Sequence, residues 1–267
     1  MKIGVIGCSG RMGKTIVKEI IVTDGCVLSG GADRTSSGFV GADIGSVAGE
    51  EKIGIAITDD IETVIGESDA IIDFTSPENT IKCAEICARL GTIHVVGTTG
   101  LDGDQINKLY DYAKETPIIF SSNMSVGVNL LLGLVEQVAE ILDPSFDIEI
   151  LEMHHKHKVD SPSGTALSLG KAAADGRNEA LSDIQKLSRE GIVGEREEGE
   201  IGFATLRGGD VIGDHTVIFA GAGERIELTH KASNRNIYAK GAVRAAKWAE
   251  SKEPKLYAMK DVLGLSK

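Results

Sequence analysis

The residues best suited to proton chemistry lie in one short segment, His154-His155-Lys156-His157-Lys158. Three of the six histidines fall within four positions here, with two lysines beside them. Histidine titrates near neutral pH and can deliver or accept a proton, and lysine can hold a carboxylate or protonate a nearby nitrogen. The segment therefore predicts a general acid or base beside a site for an anionic substrate.

Just after the histidines, the run Ser161-Pro162-Ser163-Gly164-Thr165 is typical of a helix N-terminus. Serine is a favoured N-cap and proline a favoured first residue, so we predict Ser161 as N-cap and Pro162 as N1. The first unpaired amides would then belong to Ser163, Gly164 and Thr165. A helix end of this kind binds anions, and Gly164 permits close approach. This pattern suits a carboxylate-bearing substrate.

Two other interpretations of the histidine segment stay open. The charges could belong to a solvated basic loop, or His154, His155 and His157 could bind a metal ion. Adjacent histidines rarely converge on one ion, and no cysteine or carboxylate pattern in the sequence indicates zinc. We expect no metal site.

A second motif, Gly7-Cys8-Ser9-Gly10-Arg11-Met12-Gly13, follows a short apolar run. Its glycines leave backbone amides unshielded at the start of a helix, as a dinucleotide pyrophosphate requires, and Gly13 lets that helix pack on the strand. Asp33, at the end of the next predicted strand, would accept hydrogen bonds from ribose hydroxyls. Arg34 and Arg11 would instead pair with a 2′-phosphate. Both kinds of residue together predict tolerance of NADH and NADPH.

Three further loops each follow a predicted parallel strand. They are Asp73-Phe74-Thr75, Gly97-Thr98-Thr99 and Ser121-Ser122-Asn123-Met124. In open α/β sheets the carboxyl ends of the strands line the ligand crevice. We therefore expect these loops on the nicotinamide side of a bound cofactor.

The elements that position these motifs form two predicted domains in an α/β chain. Residues 1–125 alternate short apolar runs with helical patterns, which predicts a dinucleotide-binding domain with a Rossmann-type, doubly wound parallel sheet. Residues 126–235 begin with a long apolar helix and continue with further strands, which predicts an α+β substrate and oligomerisation domain with a mixed sheet. The segment 236–267 is predicted as a C-terminal helix that packs back on the first domain.

Composition narrows the classes of function. The chain of 267 residues is 42% hydrophobic and 25% charged, as globular proteins are. Its net charge of -12 argues against a nucleic-acid partner, because phosphate contacts need a basic face. No apolar stretch reaches the ~20 residues of a membrane helix, and the N-terminus lacks a signal-peptide pattern. We expect a cytoplasmic protein without a membrane partner.

Taken together, the motifs resemble those of the 4-hydroxy-tetrahydrodipicolinate reductase family, formerly called dihydrodipicolinate reductase. The resemblance rests on five stretches in addition to the glycine loop: His154 to Ala166, Asp-Phe-Thr-Ser-Pro, Gly-Thr-Thr-Gly, Ser-Asn-Met-Ser-Val-Gly-Val-Asn, and Arg-Gly-Gly-Asp-Val-Ile-Gly-Asp-His-Thr-Val from Arg207. These stretches follow the family's order along nearly the whole chain. Asp33 stands where many members carry Glu, and Met124 where an aromatic residue is common.

The resemblance implies NADH- or NADPH-dependent reduction of a small dicarboxylate, 4-hydroxy-tetrahydrodipicolinate, in the diaminopimelate route to lysine, by a homotetramer built through the C-terminal sheets. His154 would be the proton donor or acceptor and Lys158 a second donor. The substrate-binding residues would be His155, Ser163, Gly164 and Thr165. The cofactor-binding residues would be Gly7, Cys8, Ser9, Gly10, Arg11, Met12, Asp33, Arg34, Phe74, Thr75, Gly97, Thr98, Thr99, Ser121, Ser122, Asn123 and Met124.

Two rival functions remain at this point. The first is another enzyme of related layout, a semialdehyde or homoserine dehydrogenase. A semialdehyde dehydrogenase needs a reactive cysteine in the substrate domain, yet Cys8, Cys26, Cys83 and Cys87 all precede residue 90. A cofactor-binding sensor without turnover has no need of His154, so the intact histidine segment speaks against it.

Overall fold

The computed structural model describes residues 1–265. Backbone contacts divide the chain into two units, Met1–Val126 with the segment from Arg235 onward, and Gly127–Asn234. Among the described residues, every helix is too short or too polar to cross a membrane.

The first unit is built on a six-stranded sheet in the order β11-β5-β4-β3-β1-β2. Its elements, numbered in chain order, are β1 (Lys2–Ile6), α1 (Arg11–Val22), β2 (Val27–Ala32), α2 (Ile44–Ala48), α3 (Ile61–Gly66), β3 (Ala70–Asp73), α4 (Pro77–Leu90), β4 (Ile93–Val96), α5 (Gly103–Tyr112), β5 (Ile118–Phe120), α9 (Asn236–Ala249), β11 (Leu256–Tyr257) and α10 (Met259–Val262). Every strand pair is parallel. The strand order reverses at β1, and open α/β sheets bind ligands at such a point.

Helices cover both faces of this sheet. Ile3 and Val5 of β1 pack with Ile16 of α1, whereas Ile71 of β3 packs on the opposite face with Cys83 of α4. All five side chains are fully buried, which removes apolar area from water on both sides of the sheet. The predicted doubly wound parallel sheet is confirmed.

The prediction of one helix over 236–267 is wrong. Helix α9 ends at Ala249, after which the chain adds β11 to the edge of the sheet beside β5 and forms the short helix α10. Pro254 explains the break, because proline lacks the N–H that a helix interior needs and disfavours helical backbone at the residue before it. The last two residues of the predicted helix, 266 and 267, lie outside the described residues.

The second unit contains a five-stranded mixed sheet in the order β10-β9-β6-β8-β7. Its elements are α6 (Val126–Ile141), β6 (Asp147–His154), α7 (Gly164–Gly176), α8 (Leu181–Ile184), β7 (Gln185–Lys186), β8 (Ile201–Arg207), β9 (Gly213–Gly221) and β10 (Glu224–Ala232). The central strand β6 runs parallel to β8 and antiparallel to β9. The predicted mixed sheet is therefore confirmed.

Strand alternation turns two polar side chains toward the covered face of this sheet. Ile148 and Ile150 of β6 pack in the core with helices α6 and α7, and Glu152 and His154 follow at the same two-residue spacing. All four are buried. The sheet thus carries a carboxylate and an imidazole at the end of a strand whose earlier inward positions are apolar.

Candidate active site

The nucleotide motif forms a tight turn between β1 and α1. Gly7 has a φ of +72°, a left-handed conformation that favours glycine, and its N–H donates to the carbonyl of Ala32 at 2.8 Å. A Cβ on Gly13 would collide with the Gly7 carbonyl oxygen and with the backbone of Cys8. The expectation that Gly13 lets the helix pack closely on the strand is confirmed.

Helix α1 begins with amides that the helix itself cannot satisfy. Arg11, Met12 and Gly13 form its first turn, where backbone N–H groups have no acceptor within the helix. The N-cap is Gly10, which has no side chain to accept from them. Unsatisfied amides at a glycine-lined turn fit the pyrophosphate of a dinucleotide.

A cleft of about 780 Å³ opens beside this turn, within the first unit. The predicted cofactor residues that line it are Gly7, Ser9, Gly10, Asp33, Arg34, Phe74 and Thr75. Other lining residues, which sequence analysis missed, include Thr35, Ser37, Phe39, Asp59, Asn79 and Lys82. They lie in segments without a glycine motif, and only the fold shows that these segments border the cleft.

Asp33 is held in place by its own neighbours. Its Oδ2 accepts from the N–H of Ser9 at 3.0 Å and from the Ser9 hydroxyl at 2.5 Å, and its Oδ1 accepts from the N–H of Arg34 at 2.8 Å. The glycine turn and the end of β2 are therefore linked through one carboxylate. The Arg34 side chain, in contrast, is exposed.

A buried polar network joins two of the strand-end loops. Asp73, fully buried, accepts from the hydroxyls of Thr75 at 2.6 Å and Thr80 at 2.7 Å. The Thr98 hydroxyl accepts from the Thr75 N–H at 3.0 Å and lies 2.8 Å from the Thr80 hydroxyl. The network fixes the backbone of the loop after β3 against the loop after β4.

The remaining predicted cofactor residues differ in exposure. Cys8, Gly97, Thr98 and Met124 are buried, Met12, Ser121 and Asn123 are partly buried, and Arg11, Thr99 and Ser122 are exposed. Met124 packs in the core of the first unit at 1% exposure, so its side chain faces away from solvent. Gly97 lies against the ring of Phe74, which a Cβ would overlap.

In the second unit, Glu152 is the centre of a buried charged cluster. Its side chain is 1% exposed, and its Oε2 lies 2.6 Å from Nδ1 of His154. Arg207 donates to both carboxylate oxygens, at 2.8 and 2.9 Å, and the N–H of Ser163 donates to Oε1 at 3.0 Å. This bidentate arginine–carboxylate contact is the strong form of a charge-assisted hydrogen bond.

A second histidine packs against the first. The rings of His154 and His215 meet edge to face, with centroids 5.1 Å apart. The Nε2 of His215 lies 3.0 Å from the hydroxyl of Ser163. Strand register explains this arrangement, because Glu152 is paired with Thr205 on β8 and with His215 on β9.

Burial and hydrogen bonding set the protonation states of the cluster. Burial would raise the pKa of Glu152, but hydrogen bonds from Arg207, His154 and Ser163 outweigh it and lower that pKa. Burial lowers the pKa of His154, and the contact with Glu152 opposes only part of this effect. Burial also lowers the pKa of His215, to about 4. The folded cluster near neutral pH thus holds an ionised carboxylate beside two neutral imidazoles.

The predicted start of the helix after the histidines is wrong by two residues. The N-cap of α7 is Ser163, whose hydroxyl accepts from the Ala166 N–H at 3.1 Å, and the helix begins at Gly164. Ser163 is the N-cap because it has the extended backbone and the hydroxyl contact that this position needs. Ser161 and Pro162 therefore lie before the helix. The N–H of Ser163 is also not available to a ligand, since it donates to Glu152.

The other predicted substrate-site residues lie in the first turn of α7 or in the segment that precedes it. Gly164 is exposed and Thr165 is partly buried in the first turn of α7. Lys158, with a side chain 20% exposed, places its Nζ 2.8 Å from the carboxylate of Asp160. His155 is partly buried, and its N–H donates to the carbonyl of Val211 at 2.8 Å.

Sequence analysis missed Glu152, Arg207 and His215 as site residues. Glu152 did leave a signal, since it occupies an inward position of a strand whose earlier inward positions are isoleucine. Arg207 and His215 belong to the last of the stretches that carry the family resemblance, but no local pattern shows that their strands flank β6. In residues 1–265, no group of three or more His, Cys, Asp or Glu side chains is arranged to hold a metal ion.

Comparison with known proteins decides the family. Residues 1–124 match the model described as dihydrodipicolinate reductase, N-terminus, and residues 127–263 match the one described as dihydrodipicolinate reductase, C-terminus. The chain belongs to the dihydrodipicolinate reductase family. The family resemblance of the motifs is thereby confirmed.

Members of this family named 4-hydroxy-tetrahydrodipicolinate reductase resemble the chain over its full length. The one from Brucella abortus is 51% identical over 267 residues and is matched over 100% of both chains. The one from Alkalilimnicola ehrlichii is 49% identical over 264 residues, which cover 99% of each chain.

Solved structures agree on the fold. Dipicolinate-bound dihydrodipicolinate reductase from Paenisporosarcina sp. TG-14 has a TM-score of 0.78 at 22% identity, over 97% of each chain. A probable dehydrogenase from Thermotoga maritima has a TM-score of 0.63 at 12% identity, over 99% of this chain and 93% of its own. The dihydrodipicolinate reductase family thus shares its architecture with other dehydrogenases.

Proposed function

We propose that this chain is an NAD(P)H-dependent reductase that converts 4-hydroxy-tetrahydrodipicolinate to tetrahydrodipicolinate in the diaminopimelate route to lysine. The observation that carries the proposal is the match of the whole chain to relatives of that name, at 51% identity over 267 residues. The buried cluster of Glu152 and His154 beside the start of α7 adds a site where a proton and an anion can be handled.

The first unit would hold the cofactor. The amides at the start of α1 and the turn at Gly7 would bind the pyrophosphate, and Phe74 and Thr75 line the same cleft. When bound, the nicotinamide supplies the hydride. Asp33 would accept from ribose hydroxyls and Arg34 would pair with a 2′-phosphate, which supports use of both NADH and NADPH.

The second unit would bind the dicarboxylate. Gly164 and Thr165 stand at the start of α7, where the helix dipole favours an anion, and His155 and Lys158 add polar and positive groups from the preceding segment. Ser163 would contribute indirectly, by capping the start of α7, because its amide is bound to Glu152 and its hydroxyl contacts the Ala166 amide and His215.

His154 would move the proton. The ionised Glu152 can only accept, so Nδ1 of His154 carries a hydrogen, and Nε2, which is unprotonated in the neutral ring, would take up a proton from solvent and pass it to the substrate. A Cβ on Gly213 would lie 3.0 Å from that Nε2, so the glycine keeps space beside it. Lys158 would be a second donor. In the overall reaction the substrate takes up one hydride and one proton and loses one water.

The oligomer and the cellular location are further proposals. A homotetramer built through the second-unit sheet is supported by apolar side chains on the sheet face opposite α7, namely Leu151, Met153, Leu206 and Ile218. Leu206 is 47% exposed. A cytoplasmic location, with no membrane or nucleic-acid partner, accords with the biosynthetic role and with the net charge of -12.

The deciding experiment couples the purified protein to the upstream synthase, with pyruvate and aspartate semialdehyde supplied. Loss of nicotinamide absorbance is followed with NADH and NADPH separately. Oxidation that depends on both proteins is expected, and it also gives the cofactor preference. A folded protein that binds NADH yet oxidises neither cofactor would favour another substrate or a sensor without turnover.

A further inference from the structure

Glu152 contacts two of the predicted site residues directly, His154 and Ser163. Through Oε2 it contacts Nδ1 of His154, and through Oε1 it accepts from the N–H of Ser163, the N-cap of α7. Its third partner is Arg207 on the neighbouring strand β8. One buried carboxylate therefore connects the imidazole, the helix start and the adjacent strand.

Arg207 extends the connection to the loop that carries Lys158. Its Nη2 donates to the carbonyl of Asp160 at 2.7 Å, and the carboxylate of Asp160 lies 2.8 Å from Nζ of Lys158. The guanidinium thus holds the end of the histidine segment while it neutralises Glu152. A substitution of Glu152 would therefore alter the surroundings of both His154 and Lys158.

We propose that Glu152 is the positioning residue of this reaction, which fixes the tautomer and the ring orientation of His154, and that Arg207 keeps its charge and ties it to the Lys158 loop. The inference rests on the proposed function, because it assigns a role to a partner of the proposed proton donor. Carboxylates that accept from the second ring nitrogen of a functional histidine fix its tautomer in other sites as well.

A purely structural role explains the arrangement less well. A buried ion pair is weak evidence for stability, since its desolvation offsets much of its attraction. The short contact with His154 and the space left beside its other nitrogen by Gly213 instead suit a ring that must present one defined nitrogen. The charged and titratable groups facing His154 are Glu152 on β6, Arg207 on β8, His215 on β9 and Lys158 in the loop.

The first test is Glu152→Gln in the full chain. A glutamine can donate to Nδ1 and so permit the wrong tautomer, and it leaves the charge of Arg207 uncompensated near the ring. We expect kcat to fall about 10- to 100-fold, the usual range for loss of such a partner. The limb of the pH profile that reports His154 should move to lower pH, while the Kd for NADH, measured by fluorescence, stays unchanged.

Asp175→Asn is the matched control. Asp175 is an exposed carboxylate in the last turn of α7 that pairs with Lys171, so the substitution removes a carboxylate of the same unit away from the start of the helix. It should keep the wild-type kcat and pH profile. A folded Glu152→Gln variant with unchanged kcat and pH profile would overturn the proposal.

A second measurement needs neither a variant nor turnover. In wild-type protein labelled with 15N-histidine, the imidazole shifts of His154 report which nitrogen carries the proton. Nδ1–H at neutral pH is expected, and Nε2–H would overturn the proposal even if Glu152→Gln fails to fold. If the coupled assay failed but His154 were Nδ1-protonated, the proposed substrate would be wrong and the positioning by Glu152 would stand.

Discussion

The nucleotide cleft and the Glu152 cluster handle charge in opposite ways. At the cleft, the groups that would bind an anion are backbone amides at the start of α1, whose N-cap Gly10 has no side chain. In the cluster, the groups are side chains, and Glu152 is 1% exposed. The amides at the cleft belong to one contiguous turn, whereas the cluster is assembled from three strands and a loop.

The difference has an energetic consequence. Backbone amides at a helix start bind phosphate without titrating and without a buried charge of their own. In the buried cluster the charged groups need partners, because an unpaired buried charge costs several kcal/mol. We therefore expect the cluster to be sensitive to single side-chain changes and to pH, and the cleft to be more tolerant of both.

The largest effect that separates the two regions is expected for His154→Gln. Removal of the proposed proton donor should lower kcat by ~10²–10⁴, the usual contribution of general acid–base catalysis. The Kd for NADH should stay near the wild-type value, because the amides proposed to bind the cofactor belong to the first unit. Steady-state kinetics in the coupled assay and fluorescence titration measure the two quantities.

His157→Gln is the control for His154→Gln. His157 belongs to the same segment but is exposed, so its loss should leave kcat near wild type. Near-normal turnover of His154→Gln would remove His154 from the mechanism. A parallel loss of NADH binding would show that the two regions are not independent.

The same contrast explains what the sequence could predict. The glycine motif is contiguous, and its strand, turn, helix and Asp33 are all local, so the sequence predicts the turn and the close packing of Gly13. The parallel sheet likewise follows from repeated apolar runs. The two-residue strand β11 escapes prediction, because Leu256 and Tyr257 pair with β5 only through the fold.

The cluster depends on register, which the sequence does not encode locally. Glu152 meets Arg207 and His215 because β6 lies between β8 and β9, and parallel pairing of β6 with β8 joins residues about fifty positions apart. The wrong N-cap has a related cause. Serine is a favoured N-cap, so residue type alone does not distinguish Ser161 from Ser163. In the folded chain the N-cap is Ser163, whose amide also donates to Glu152.

A smaller effect is expected in the pH dependence of the free energy of unfolding, to which the buried cluster contributes and the backbone amides of the cleft do not. His215 has a pKa of about 4 in the folded protein, against an ordinary value of 6.5. Between these values the unfolded chain binds a proton that the folded protein does not, so stability is lost as pH falls through this window. His215 alone should cost about 2 kcal/mol between about pH 7 and about pH 5. Urea denaturation at the two pH values measures the loss.

His215→Gln should reduce this loss, since glutamine does not titrate. The pKa values of His154 and His230 are also lowered by burial, so part of the pH dependence should remain. Glu152 contributes in the same direction only at lower pH, because its stabilising charge is lost as pH falls through its own lowered pKa. An unchanged difference between the two pH values in His215→Gln would argue against a neutral, buried His215.

The smallest effect should come from an exposed side chain of the cleft. Arg34→Ala should raise the Kd for NADPH about tenfold, because a guanidinium–phosphate contact is worth at least ~1.4 kcal/mol. The Kd for NADH should change little. Asp33 keeps its bonds to Ser9 in this variant, so the ribose contact is preserved. Arg89→Ala, which removes an exposed arginine paired with Glu62, controls for net charge. Equal losses for both cofactors, measured by fluorescence titration, would mean that Arg34 supports the turn and does not read the 2′-phosphate.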